Sequence, residues 1–335
     1  MKPQQRITDP KKIDKRIIDE HIKSGKHVIV QFSQNSFNRK MLTELNQLSK
    51  KYSRDFGIRF FGHYGKSFDL KNLEIIPDVK CLYIDCLMEA KNIEYLKNLE
   101  YLEKLSIGIF ELKETEVLSY QNLWNVEELF LTETRTKAFN LEHLKNFKKL
   151  KFLIVGNHTK NIDSIGHLEN LETLYLNSIK KVSISFINKL KKLKTLKFTL
   201  GGRENIKEIG DNKIEDLEIT WVRGFNDLSN ISNFSKLKKL FIQDNIKLEK
   251  IKFYEKSESL KSLIISNCKT LNELTGLDKL TNLETLTIYK TNIDFDNFFN
   301  SELPKSLKTL IFGTSKIKTD KIIKEKILEK GYETR

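Results

Sequence analysis

The sequence predicts an α/β solenoid, a right-handed coil whose short parallel strands line a concave sheet between an α/β cap in front and a helical cap behind. Three observations predict it. The pattern LxxLxL recurs in eleven copies, from "VKCLYI" beginning at Val79 to "LKTLIF" beginning at Leu307. Its central leucines (Leu82, Leu105, Leu129, Leu153, Leu174, Leu196, Leu217, Leu240, Leu263, Leu286 and Leu310) lie 22.8 residues apart on average, a spacing typical of stacked repeats. All 33 pattern positions are apolar, so each copy has a side to bury and none can bury it alone.

Residues 1–55 read as the first cap. Asp9-Pro10 is a helix start and Gly25 a stop, enclosing Ile13, Ile17, Ile18 and Ile22 at helical spacing. "HVIVQF" (27–32) then reads as a strand, 36–52 as a helix and "IRFF" (58–61) as the next strand, a βα unit leading into the array. In "RFFGHYGKSF" (59–68), Gly65-Lys66-Ser67 invites comparison with a phosphate-binding loop. Such a loop needs another glycine five residues earlier, where Phe60 stands, and a helix starting at the lysine. "SFDLKNLEIIPD" reads instead as the crossing segment of a repeat, which makes the glycine-containing stretch a turn on the rim.

Residues 56–318 form the array of eleven to twelve repeats. Side chains alternate along a strand, so each LxL pair points into the stack and its neighbours point out. Further apolar residues recur three apart between strands, as in "IDSIGHLENLETL" with Ile162, Ile165, Leu168, Leu171 and Leu174. Over roughly residues 56–318 the chain resembles the leucine-rich repeat family, in its short bacterial, internalin-like class. The resemblance implies a protein ligand held in the concave groove. It also implies Asn or Cys three residues after the last strand leucine, buried and bonding the backbone of neighbouring turns. That ladder is present late, at Asn245, Cys268, Thr291 and Ser315, whereas Leu87, Phe110, Ile179 and Val222 occupy it earlier. The early turns must satisfy their backbone groups differently, and His158, at the same position, is expected to be a buried hydrogen-bonding substitute. Residues 319–335 form the last cap: Thr319 and Asp320 open an amphipathic helix carrying Ile322, Ile323, Ile327 and Leu328, with Gly331 beyond.

Composition narrows the function. With 39% hydrophobic and 31% charged residues, the chain has ample core and a heavily charged exterior. The start carries charge and proline where a secretory signal needs an apolar stretch, and no run of about 18 apolar residues occurs, so a cytoplasmic, non-membrane protein is expected. Cys81, Cys86 and Cys268 lack paired spacing, and the six histidines lack metal-ligand spacing. No cofactor, metal or catalytic residue is expected. Cys81 is placed as an exposed thiol on the concave sheet.

The residues between and beside the LxL leucines define that sheet face. Its central column reads Tyr83, Ser106, Phe130, Ile154, Tyr175, Lys197, Glu218, Phe241, Ile264, Thr287 and Ile311, with Phe152 and Tyr289 flanking and Trp221 at the edge. A line of exposed aromatic and aliphatic residues marks an interaction surface. The candidate ligand-binding residues are Tyr83, Phe130, Phe152, Ile154, Tyr175, Trp221, Phe241, Ile264 and Tyr289. The net charge is +14, yet the face carries Lys104, Lys197 and Lys239 against Asp85, Glu128, Asp216 and Glu218, a net of −1. The excess lies on outer segments such as "NKLKKLK". The function expected is non-enzymatic binding of a protein partner by a monomer through the concave face. The alternative is nucleic-acid or acidic-partner binding through the lysine-rich convex face.

Overall fold

Each LxL pair enters a parallel strand, and the strands align leucine on leucine. The computed structural model describes residues 2–63 and 65–334, which form two units, Met1–Leu171 and Glu172–Arg335.

In the first unit the chain runs through β1 (Gln4–Thr8), α1 (Lys15–Lys23), β2 (His27–Phe32), α2 (Arg39–Tyr52), β3 (Phe56–Gly62), β4 (Phe68–Asp69), β5 (Cys81–Leu87), β6 (Ala90–Lys91), β7 (Lys104–Ile109), β8 (Glu128–Leu131) and β9 (Phe152–Gly156). The sheet order is β1-β2-β3-β5-β7-β8-β9, while β4 and β6 form a separate two-stranded sheet. Leu82, Leu105, Leu129 and Leu153 are successive partners in register and are fully buried. Truncating one to alanine removes a buried side chain and leaves a cavity, at about 2–5 kcal/mol.

The cap differs from expectation in three places. A strand, β1, precedes the first helix and covers the free edge of β2. The helix starts later than Asp9-Pro10, because Asp14 is its cap, accepting from the Arg16 and Ile17 amides. Asp9 has φ +45° and its carboxylate instead takes the Ser33 amide. Asn38 caps α2 through the Met41 amide, so that helix begins at Arg39. Beneath the sheet Phe32, Phe37, Phe60 and Phe68 form one aromatic cluster, with Phe60 and Phe68 centroids 4.8 Å apart.

In the second unit β10 (Thr173–Asn177), β11 (Thr195–Thr199), β12 (Asp216–Thr220), β13 (Lys239–Gln243), β14 (Lys250–Lys252), β15 (Ser262–Ser266), β16 (Glu273–Thr275), β17 (Thr285–Tyr289), α3 (Phe295–Phe299), β18 (Thr309–Gly313) and α4 (Ile317–Glu329) follow. Leu174, Leu196, Leu217, Leu240, Leu263, Leu286 and Leu310 align in register. The outer segments are short 3-10 turns such as Ser185–Lys189, and β14 pairs with β16 away from the main sheet. Ile323 and Ile327 of α4 are buried. The helix begins at Ile317 rather than Thr319, because Asp320 is spent on the preceding turn, bonding the Thr314 and Ser315 amides. Beyond α4 the chain returns to the sheet: Glu333 accepts from Leu310 N and donates to Lys308 O at 2.9 Å each, covering the β18 edge.

One residue before many strands stands a charged side chain whose sign often opposes that of the neighbouring repeat. Lys80 meets Glu103 and Lys151 meets Glu127 in the first unit, each at 3.0 Å. In the second unit Lys194 meets Glu172 at 3.3 Å, Lys238 meets Glu215 at 2.8 Å, and Glu284 lies between Lys261 and Lys308 at 3.8 and 3.9 Å. These exposed pairs contribute little individually, but their order is specific. Among the described residues, no helix is long and apolar enough to cross a membrane.

Candidate functional site

The sheet face opposite the leucines is built by register. In the first unit Thr8, Gln31, Arg59, Tyr83, Ser106, Phe130 and Ile154 occupy one column across the strands. Its front is polar and closed. Arg59 grips Asp85 with two nitrogens, at 2.7 and 2.6 Å, and donates to Gln31. Gln31 reaches Thr8, and Asp85 accepts from Ser106. This polar chain crosses five strands.

Tyr83, expected among the exposed anchors, is buried at 6% exposure. Its ring lies over Gly57, where an added Cβ would stand 2.9 Å from the ring edge. His27 Nδ1–H donates to the Arg54 carbonyl, so Nε2 accepts the Tyr83 hydroxyl at 3.1 Å. Burial raises the Tyr83 phenol and lowers the His27 imidazole pKa. Cys81, expected as an exposed thiol, is also buried, and burial pushes its pKa up to about 12, away from nucleophilic use. Both corrections have one cause: Ile29, Cys81, Tyr83 and Phe130 pack on one another across this face.

Past that point the column opens. Phe130 and Phe152 meet edge to face at 5.2 Å and are half-buried, as is Ile154. Lys104, 7% exposed, is held by Glu128 at 2.7 Å and sits 4.8 Å from the Phe130 ring. In the second unit Tyr175, Lys197, Glu218, Phe241, Ile264, Thr287 and Ile311 share a column, and all are half-exposed. Lys197 pairs with Glu218 at 2.6 Å and lies over the Tyr175 ring. Tyr289 flanks the column, its hydroxyl bonded to Ser315 Oγ at 3.2 Å.

The turns leaving the strands complete the geometry. Asn245 is fully buried, donates to Ile219 O and Gln243 O at 2.8 and 2.9 Å, and accepts from Val222 N at 3.1 Å. One side chain thus ties its own turn to the preceding one at the position where the repeat pattern demands it. The fold is that of a leucine-rich-repeat protein.

Among solved structures the chain is similar, at low identity, to leucine-rich-repeat proteins. The internalin InlF of Listeria monocytogenes is 21% identical over 78% of this chain and 81% of its own, with a TM-score of 0.44. A leucine-rich-repeat protein of Leptospira interrogans is 17% identical over 98% of this chain and 93% of its own, with a TM-score of 0.49. No family model matches the sequence, and no curated protein matches it.

The other leucine-rich turns solve the backbone problem in several ways. Cys268 is buried like Asn245, whereas Ser315 is exposed and takes no part in a buried ladder. His158 is fully buried at its ladder position: Nδ1 accepts the Phe139 amide and Nε2–H donates to Thr132 O at 2.9 Å. Burial lowers its pKa to about 4. Where Leu87 and Phe110 fill the position, the turns bond backbone to backbone, Phe110 N to Leu87 O at 2.8 Å and Glu111 N to Met88 O at 2.9 Å. Lys66 N donates to His63 O at 3.1 Å, a turn leading into β4; Tyr64 within it lies outside the described residues. Trp221 is not on the strand face but in the turn after β12, 64% exposed with φ +53°. On the outer segments, Lys207 and Lys148 pair with Asp227 and Glu169, and Lys191 donates to Asn188 O.

The LxxLxL copies begin at Val79, so the repeat pattern by itself does not reach Arg59 and its pairing with Asp85. Extending the same alternation back to Ile58 and Phe60 places Arg59 beside Tyr83.

Proposed function

We propose that this chain is a non-enzymatic protein-binding module whose ligand docks on the open strand face of the repeats, with residues 1–55 and 319–335 closing the array of residues 56–318. One observation carries the reading. Phe241 and Ile264 are partners in register on adjacent strands, point away from the leucine core and remain half-exposed. Contiguous apolar side chains on a strand face that the fold leaves uncovered mark a surface for a partner.

The anchors are Phe130, Phe152 and Ile154 in the first unit, and Tyr175, Phe241, Ile264 and Tyr289 in the second. Tyr83 acts beneath them by holding its neighbours in place. Lys104 and Lys197, each already paired with a glutamate, supply orientation at the rim of the apolar area. The charged groups of the face are thus largely balanced, which suits a protein surface better than a polyphosphate.

The test is the affinity of a partner recovered from the native host, with folding checked by circular dichroism. Phe241→Ala and Tyr175→Ala should each cost on the order of 2 kcal/mol, roughly thirtyfold. Lys191→Glu combined with Lys192→Glu should change little. A loss confined to the lysine pair would defeat the strand-face reading and favour an anionic ligand on the outer segments.

A further inference from the structure

Six strands of the second unit are each followed by a residue in the left-handed region: Ser178, Leu200, Trp221, Asp244, Asn267 and Lys290, with φ between +52° and +60°. Four of these are small or polar. Leu200 and Trp221, in consecutive repeats, are bulky and apolar, and they are 42% and 64% exposed. Each combines backbone strain of about 1–2 kcal/mol with apolar surface left in water. The backbone cannot relax it, because Leu200 N bonds Thr220 O at 2.9 Å and Trp221 N bonds Gln243 O at 2.8 Å. The other turns of the series make the same bond, so the left-handed backbone belongs to the repeat. What sets these two positions apart is a bulky apolar side chain held in water where the neighbouring repeats carry small or polar ones, and such a pair points to a use.

Beside the two side chains lies an open recess of ≈ 710 Å³. At its wall is Arg203, 7% exposed, its guanidinium donating to Val182 O at 3.0 Å and lying 5.3 Å from the Phe198 ring. Among the described residues no carboxylate stands within 4.0 Å of it. Lys180, Lys181 and Arg223 are the other cations of the lining, against one acid, Glu204, which Lys181 already holds at 3.1 Å. Glu208 offsets the Arg203 charge only from a distance and burial outweighs it; a buried guanidinium without a contacting carboxylate is relieved by one brought to it.

We propose that this rim is a second docking site, separate from the strand face, for an acidic protein segment that carries an apolar side chain among its carboxylates. Leu200 and Trp221 take the apolar side chain, and Arg203 with its neighbouring cations takes the acids. A peptide fits better than single-stranded nucleic acid, because Leu200 offers no stacking platform and Trp221 is a lone ring, whereas strand-tracking grooves stack successive bases on several aromatics.

The probes are a fluorescein-labelled Glu-Asp-Phe-Glu-Asp peptide, its Lys-Lys-Phe-Lys-Lys counterpart and labelled oligo(dT), each titrated into the full chain. The acidic peptide should bind and the basic one should not. Trp221→Asn, Leu200→Asn and Arg223→Gln should each weaken binding about tenfold, and Phe241→Ala should leave it unchanged. Because asparagine tolerates the left-handed region, the two asparagine variants should melt no lower than the parent. Absence of acidic-peptide binding at millimolar concentration, tighter binding of oligo(dT), or asparagine variants that melt lower while binding as before would each overturn the proposal.

Discussion

His158 shows how a single ring can replace a ladder amide and what that replacement costs. Its two hydrogen bonds require the neutral ring, one nitrogen accepting and the other donating. Burial lowers its folded-state pKa from 6.5 to about 4, so between those values the unfolded chain binds the proton and the folded chain does not. The stabilisation is present above pH 6.5 and is lost as pH falls through the window, at about 1.4 kcal/mol per pH unit. His27 shifts in the same direction. Urea titrations from pH 7 to 4 should therefore show a falling midpoint in the parent, and a shallower fall in His158→Asn. Parallel curves would remove His158 from the account. At Gly57, alanine should force the Tyr83 ring off its seat and lower stability by roughly 1–3 kcal/mol, with Gly57→Ala/Tyr83→Ser recovering part of it. Equal melting of the single and double variants would mean that the ring is not what the added methyl meets.

At the scale of elements, the ends were less legible than the middle. The LxxLxL strands follow from a two-residue alternation repeated eleven times, and β5, β7 to β13, β15, β17 and β18 fall where that alternation puts them. β1 was invisible because "QQRIT" has no apolar face of its own; it exists because β2 presents a free edge. The return of residue 333 to β18 was invisible for a similar reason, since its two backbone bonds carry no side-chain signature. Of the candidate anchors, the strand positions were legible from alternation, whereas the burial of Tyr83 depended on Gly57 and His27 in another segment. The left-handed turn at Trp221 depended on backbone bonds to the next repeat. The C-terminal element also supports a prediction. Deleting residues 317–335 uncovers the surface on which Ile323 and Ile327 pack, together with the β18 edge, removing about 4 kcal/mol of burial. The melting temperature should drop by roughly 10 °C and the truncated chain should self-associate on light scattering. An unchanged melt and a monodisperse solution would show that α4 closes nothing.

For the molecule as a whole, the +14 charge does not describe how its charges are arranged. Many lysines on the repeats face a glutamate one repeat away, and the sign order Glu172, Lys194, Glu215, Lys238 behaves as an address that states which repeat should follow which. Repeat proteins gain and lose units by recombination, and here the address would be violated by many such events even though every leucine still matched. Removing residues 195–215 as a block, for example, would join the repeats cleanly but set Lys194 against Lys238. The same substitution, Lys238→Glu, should then have different effects in two backgrounds. In the full chain it loses the pairing with Glu215 but faces Lys261 in the following repeat, so the melting temperature should change little; in the shortened chain it stands between Lys194 and Lys261 and should raise the melting temperature, with the rise fading in molar salt. Equal shifts in the two backgrounds would mean that the leucines alone decide which units can be neighbours.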